Sequence, residues 1–294
     1  MTLQANTFAG ATLDRATEHR TDPGWLAEQL AHPNARALPA SREGPYVDCS
    51  TDPCRPALYP LATFAPAPDE PVLLGLDADG PLFAVDVEGR TDGLPSSAMS
   101  LREAGARLPQ ADGGLLAYAT ALLNWHREHR FCARCGAPTD VAEAGHVRRC
   151  PSCSALHHPR TDPVVIMLVS DGGRALLGRQ ARWPKGRYSA LAGFVEPGES
   201  VEEAVAREVM EEAGVEIDGI RYRSSQPWPF PSSLMLGFHA RWVAGQPAVH
   251  DAELEDVRWF DRDDLHAIAR GETDLHLPPP VAIARRLIDE WLEG

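Results

Sequence analysis

Two groups of residues have the types and spacing to do chemistry. The first is acidic: Gly193-Phe-Val-Glu-Pro-Gly-Glu199-Ser-Val-Glu-Glu-Ala-Val-Ala-Arg207-Glu208-Val-Met-Glu211-Glu212-Ala-Gly214-Val215. Ser200 followed three residues later by Glu203 reads as a capping box that opens a helix. Gly214 reads as its end, where a positive φ is usually needed. On such a helix Glu208 and Glu212 share a face at i and i+4, and Glu211 lies one turn from Glu208. Three crowded like charges are unfavourable unless something cationic neutralises them, and a hard divalent ion with oxygen ligands does so. The plain alternative is a solvated acidic helix face, which is common on acidic proteins.

The second group is Cys132-x₂-Cys135-x₁₄-Cys150-x₂-Cys153. Each CxxC puts two thiolates on one side of a tight turn, and the intervening segment is long enough to bring the pairs together as a tetrahedral S₄ site. Soft thiolates in that geometry favour Zn²⁺. The competing reading is a pair of redox CxxC motifs, against which the ribbon-like spacing and Gly136 weigh. A closed S₄ site leaves no position for water, so this metal is expected to be structural. His157 and His158 lie close by in sequence, but the site is full without them. Arg134, Arg148 and Arg149 keep a nucleic-acid-binding ribbon in view, although solvated surface arginines are the commoner explanation. Cys49 and Cys54 stand apart upstream with no role indicated.

These groups need a scaffold, and the pattern divides the chain into residues 1–112, 113–160 and 161–294. The first part is rich in Pro, Ala and Asp. Strands are expected at Val72–Leu76 and Leu82–Val87, a helix after Ser100, and loop across Tyr59–Pro71. No catalytic constellation falls there, so a scaffold or dimerisation domain is expected. Leu115, Tyr118, Leu122 and Trp125 recur at helical spacing and lead into the first cysteine pair. From Pro163 onward strands alternate with helices. Val164–Val169 reads as a strand buried on both faces, followed by strands at Ala175–Leu177, Tyr188–Val195, Leu234–Val243 and Val257–Phe260. Helices are expected over Ser200–Ala213 and Val281–Leu292, which makes an α/β (α+β) arrangement with a mixed sheet and helices on its faces.

At 294 residues and 44% hydrophobic, the chain has material for more than one core, and no apolar run is long enough to span a membrane. The first twenty residues contain no apolar segment of the secretory kind, so a cytoplasmic protein is expected. A net charge of −14 argues against nonspecific coating of nucleic acid. It does not exclude a nucleotide substrate, because carboxylate-bound metal presents positive charge to phosphate.

The acidic segment matches GX₅EX₇REUXEEXGU, with U aliphatic, at all seven fixed and both aliphatic positions, and so resembles the Nudix hydrolase superfamily. The resemblance implies that Glu208, Glu211 and Glu212 bind Mg²⁺ or Mn²⁺ and carry the catalysis, with the backbone carbonyl of Ala192 as a further ligand. It also implies a supporting ion pair between Glu199 and Arg207, framed by Gly193 and Gly214. The box alone leaves the substrate open. Past it, Ser225-Gln226-Pro227-Trp228-Pro229-Phe230-Pro231-Ser232-Ser233 has prolines alternating with aromatics, expected to force an extended, rigid loop. Together with the ribbon between an N-terminal domain and the Nudix domain, this segment is similar to the signature of the NADH pyrophosphatase family. The similarity is strongest over residues 115–287.

That resemblance implies an N-terminal Nudix-like domain, a zinc ribbon and a Nudix domain that cuts the diphosphate of NADH or NAD⁺ to nicotinamide mononucleotide and AMP. It extends to removal of NAD caps from RNA 5′ ends, and implies a homodimer. Phe194 is the implied stacking partner of the nicotinamide ring. Gln226, Pro227, Trp228, Pro229, Phe230, Pro231, Ser232 and Ser233 are implied to line the dinucleotide pocket, Glu253 to bind metal and Ala284 to contact substrate. Where some members have a substrate-contacting Tyr before Pro-Arg, this chain has His158. Two other readings are a Nudix enzyme acting on ADP-ribose or another nucleoside diphosphate derivative, and a non-enzymatic regulator. The intact box disfavours the second.

Overall fold

The computed structural model describes residues 5–65, 70–88, 94, 96–250 and 253–294. They form two compact units, one made of the described residues within 5–7, 162–228 and 233–294, the other of those within 8–161 and 229–232.

The first unit is organised by the strand Asp162–Ser170. Leu191–Phe194 pairs with it antiparallel, Ser233–Ala244 pairs parallel over nine residues, and Arg174–Gln180 joins it as a hairpin. Glu216–Trp228 and Leu254–Asp261 complete a six-stranded mixed sheet as its outer strands. Alternation along the central strand loads both faces, because successive side chains point to opposite sides. Val165, Met167 and Val169 join Ala204, Val205, Val209 and Ala213 of the helix Val201–Ala213. Ile166 and Leu168 join Leu265 and Ile268 of the helix Arg262–Ala269 and Ile283, Leu287 and Trp291 of the helix Ile283–Glu293. A strand buried on both faces, with helices on each, is what the apolar run Val164–Val169 predicts.

In the second unit, Arg36–Ser41 lies between Gly44–Asp48, antiparallel, and Gly80–Asp86, parallel, in a seven-stranded sheet that ends in Val72–Asp77. The expected strands at Val72–Leu76 and Leu82–Val87 are therefore present. The expected helix after Ser100 is Leu101–Arg107, with the Ser100 hydroxyl accepting from the Glu103 amide. The helix Gln110–Glu128 buries Leu116, Ala119, Leu122 and Trp125. At its end Arg127 pairs with Asp86 at 2.6 Å, both almost fully enclosed, and donates to the carbonyls of Ala40 and Ser41. Cys49 and Cys54 are disulfide-bonded across the hairpin of Gly44–Asp48 and Arg55–Pro56.

Two expectations need correction. The loop over Tyr59–Pro71 contains a short strand, Tyr59–Pro60, and a 3₁₀ turn, Leu61–Phe64, while residues 66–69 lie outside the described residues. Tyr59 pairs with Ala37, and Phe64 is buried against the sheet's core, so tertiary contacts override the proline signal. The proline-aromatic segment is not one loop. Gln226–Trp228 ends a thirteen-residue strand, Pro229–Ser232 turns, and Ser233 begins the next strand. Pro227 is tolerated because that strand is outermost and needs no amide donor on its open side.

Candidate active site

The acidic helix forms as its caps dictate. The Ser200 hydroxyl accepts from the Glu203 amide at 3.3 Å, and the Glu203 carboxylate accepts from the Ser200 amide at 2.7 Å. Such a reciprocal cap satisfies two of the amides that a helix start leaves without partners. Gly214 ends the helix at φ +66°, and a Cβ there would come within 2.2 Å of the His250 ring.

Arg207 organises the carboxylates. It holds Glu199 through two bonds, Nη2 to Oε1 at 2.6 Å and Nε to Oε2 at 3.0 Å. Its Nη1 reaches Glu208 at 2.8 Å and Glu211 at 2.9 Å, and its Nη2 also donates to the Phe194 carbonyl at 2.9 Å. Glu199 in turn accepts the Glu196 amide at 2.7 Å, which fastens the loop before the helix. One guanidinium thus ties loop, helix and strand end together, using the fork geometry that Lys lacks.

Gly193 has a reason to be glycine. A Cβ there would lie 1.8 Å from the carboxyl carbon of Glu208 and about 2 Å from both its oxygens. The carboxylate therefore lies directly against the strand Leu191–Phe194. Burial raises the pKa of Glu208 above the usual carboxylate range. Arg207 opposes that rise, while the charges of Glu211 and Glu253 add to it. Glu199 is held below the usual range, first by the Arg207 bond and then by the Glu196 amide. Glu212 is 3% exposed, whereas the Glu211 side chain is 55% exposed. Glu208 and Glu211 thus present partly desolvated carboxylate oxygens at one guanidinium, with Glu212 buried on the same helix. Carboxylate oxygens of this kind suit a hard divalent cation.

The other expected site residues divide between the two units. In the first, Phe194 is 59% exposed, so it does not fill the core. Ala192 pairs with Ile166, and Glu253 is exposed just before Leu254–Asp261. Pro227, Trp228 and Ser233 are partly exposed, whereas Gln226 and Ala284 are 1% and 3% exposed. Pro229, Phe230, Pro231 and Ser232 group with the second unit, where Phe230 meets Phe8 edge-on at 6.0 Å and lies 4.5 Å beneath the Arg102 guanidinium. His158 is exposed in that unit, after the short strand Leu156–His157. Arg207's bonds to Glu208, Glu211 and the Phe194 carbonyl were not among the sequence expectations. The i+4 spacing to Glu211 was the one available signal.

The ribbon closes as expected. Among the described residues, the four cysteines are the group whose ligand atoms gather within 4.8 Å of one another. Cys132 and Cys153 sulfurs are 3.6 Å apart, and those of Cys135 and Cys150 are 3.5 Å apart. A tetrahedral site with Zn–S bonds of about 2.3 Å requires sulfurs about 3.8 Å apart. The two knuckles repeat each other: Gly136 N donates to Cys132 O and Ser154 N to Cys150 O, both at 2.9 Å, and Gly136 and Ser154 share a positive φ. The Arg134 amide at 3.4 Å and the His157 ring at 3.3 Å face the Cys132 sulfur, so His157 stands behind a ligand and does not replace one.

Three family descriptions tile the chain: an NADH pyrophosphatase-like rudimentary NUDIX domain over residues 29–125, an NADH pyrophosphatase zinc ribbon domain over 127–157, and a NUDIX domain over 159–278. Box and mixed sheet are those of a Nudix domain, and the cysteines are a zinc ribbon site. The "NAD-capped RNA hydrolase NUDT12" of Macaca fascicularis is 34% identical, covering 98% of this chain and 73% of that protein. The human "NAD(P)H pyrophosphatase NUDT13, mitochondrial" is 46% identical over 68% of this chain. The "NAD-capped RNA hydrolase NudC" of Mycobacterium bovis (strain BCG / Pasteur 1173P2) is 46% identical over 67% of this chain and 66% of its own length. The match to NUDT13 spans 60% of that protein's length. The chain belongs to the NADH pyrophosphatase family of Nudix hydrolases.

Proposed function

We propose that this protein hydrolyses the diphosphate bond of NADH and NAD⁺, giving nicotinamide mononucleotide and AMP, and that NAD-capped RNA ends are a larger form of the same substrate. The observation that carries this reading is the carboxylate set gathered by Arg207 beside Gly193, with the exposed ring of Phe194 next in the chain. Glu208, Glu211 and Glu212, with Glu253 and the Ala192 carbonyl, are the groups that would hold Mg²⁺ or Mn²⁺. When bound, the metal supplies charge stabilisation for the diphosphate oxygens and acidifies water. The chain's own part is to hold that donor set in place through Arg207, to accept the water's proton on a carboxylate of the box, and to seat the nicotinamide against Phe194. The relatives' printed names, which pair NAD(P)H pyrophosphatase with NAD-capped RNA hydrolase, support this substrate class.

Residues 1–112, 113–160 and 161–294 are proposed as the three functional parts, a division supported by the boundaries of the family matches. We also propose a homodimer, tested by light scattering of the full chain. Among the described residues no helix is long and apolar enough to cross a membrane. The cytoplasmic assignment stands as a proposal to be tested by imaging, since one relative's name places it in mitochondria. The substrate reading is tested by a hydrolysis panel of NADH, NAD⁺, ADP-ribose and NAD-capped RNA with product identification. Release of AMP and nicotinamide mononucleotide from NADH supports it, and turnover of ADP-ribose alone overturns it.

A further inference from the structure

Gln226 sits in the proline-aromatic signature, yet all three of its amide bonds go to the protein. Its Nε2 donates to the carbonyls of Thr7 at 3.0 Å and Val281 at 2.8 Å. Its Oε1 accepts the backbone amide of Ile283 at 2.8 Å. Ile283 opens the helix Ile283–Glu293, whose N-cap residue, Ala282, provides no side-chain cap. A helix start leaves amides without intrahelical partners, and a side-chain oxygen normally meets one of them. Here that oxygen arrives from a strand 57 residues away. The helix start is seated tightly, since a Cβ on Gly237 would lie 2.8 Å from the Ile283 side chain.

The chain's first described residues complete the arrangement. Asn6, 7% exposed, donates to the Ser225 carbonyl at 2.8 Å and to the Ser224 hydroxyl at 3.0 Å. Arg286, on the same C-terminal helix, donates to the Asn6 side-chain oxygen at 3.1 Å. Residues 6 and 7 thus close over the junction between the signature strand and the C-terminal helix, and they group with that unit although the rudimentary-domain match begins only at residue 29.

We propose that Asn6, Thr7 and Gln226 form a clamp that fixes the end of the signature strand against the start of the C-terminal helix, with Gln226 acting as a positioning residue for the dinucleotide site. Gln226 sets where Trp228 and Ala284 lie without touching substrate, and the N-terminal segment is a working part of the catalytic unit. Gln226 and Ile283 are buried, while Thr7 and Val281 are half-buried, so removing the amide costs most at the helix-start amide of Ile283, which is left without its partner where water does not readily replace it. The assignment of the site to a dinucleotide rests on the function proposed above.

The test uses full-length Gln226→Met, which keeps a long unbranched side chain but has no polar amide, and Asn6→Ala. Kinetics with NADH are measured beside amide hydrogen exchange. For Gln226→Met the clamp predicts a KM raised about ten-fold or more with kcat within about three-fold of wild type, the scale set by buried polar groups left unpaired. It also predicts faster exchange over residues 283–286 with the helix Val201–Ala213 unchanged. Asn6→Ala moves both readouts the same way by a smaller factor. Direct substrate contact by Gln226 predicts a raised KM with unchanged exchange and a wild-type Asn6→Ala, and that result overturns the proposal. Should Gln226→Met fail to fold, Asn6→Ala decides by the same two readouts. If wild type does not turn over NADH, the functional reading falls, and the exchange comparison alone decides the clamp: unchanged exchange in both variants refutes it.

Discussion

Replacing Arg207 by Met isolates what its guanidinium does for the carboxylates. Met keeps an unbranched stem and a comparable helix propensity, so the helix Val201–Ala213 should persist with its Ser200–Glu203 cap. The side chains of Arg207 and Glu208 are only 24% and 14% exposed, so their 2.8 Å bond is largely shielded from water. A hydrogen bond to a charged group contributes about 1.5–3 kcal/mol, a factor of about ten to a hundred in an equilibrium. Glu208 is already raised by burial, and Arg207 is the influence that opposes the rise. Removing it makes the ionised form less favourable and moves the pKa of Glu208 further upward. Metal binding and proton acceptance both need the ionised carboxylate, so activity is present above that pKa and lost as pH falls through it. The acidic limb of the kcat/KM profile for NADH should therefore move to higher pH in Arg207→Met, with activity below the old limb lowered about ten- to a hundred-fold. Half-saturation by Mg²⁺ near the old limb should weaken in parallel. A folded variant whose acidic limb stays where it is in wild type would show that Arg207 does not control Glu208.

Three further outcomes are expected. Gly193→Ala places a methyl 1.8 Å from the Glu208 carboxyl carbon and must displace it by more than 1 Å, so kcat should fall about 10²-fold with little change in melting temperature; retention of wild-type kcat contradicts the geometry. Phe194→Ala should reduce NADH turnover about five-fold to over a hundred-fold more than ADP-ribose turnover, because only the former has a nicotinamide to stack; equal losses rule out stacking. Elemental analysis should find about one zinc per chain, and Cys150→Ser should lower the melting temperature without a direct effect on the hydrolytic step; zinc-free protein with reduced cysteines refutes the ribbon.

What the sequence made legible was local. Ser200, Glu203 and Gly214 specify their helix through neighbours within a few residues, and Val164–Val169 is apolar enough to mark a strand with two buried faces. The cysteine spacing carries its own geometry. The long strand Glu216–Trp228 was not legible, because its mixed polar composition, mostly half-buried pattern and Pro227 hide the period-2 signal. Arg36–Ser41 was missed for the opposite reason: five consecutive buried residues, Pro39 among them, leave no alternation to see. In the site, the box residues were readable from the motif, but the contact between Glu208 and Gly193 and the bond from Arg207 to Phe194 depend on how strand meets helix. The partners of Gln226, at Thr7, Val281 and Ile283, lie 55 or more residues away and send no sequence signal at all.

The central claim is that the box carboxylates carry metal-dependent hydrolysis, and Glu212→Gln tests it most directly. Gln keeps the size and helix propensity of a side chain that is 3% exposed, and removes one negative charge and a proton-accepting oxygen. Losing an electrostatic contact of this kind costs about 2.7–4 kcal/mol in the barrier, a factor of 10² to 10³. Glu202→Gln, on an exposed position of the same helix, is the matched control. With kcat for NADH measured at saturating Mg²⁺ and melting temperature alongside, Glu212→Gln should lose at least about a hundred-fold while Glu202→Gln stays near wild type. A folded Glu212→Gln that keeps more than about a tenth of wild-type kcat would mean that the Glu212 carboxylate supplies under roughly 1.4 kcal/mol of barrier lowering, and would contradict the account.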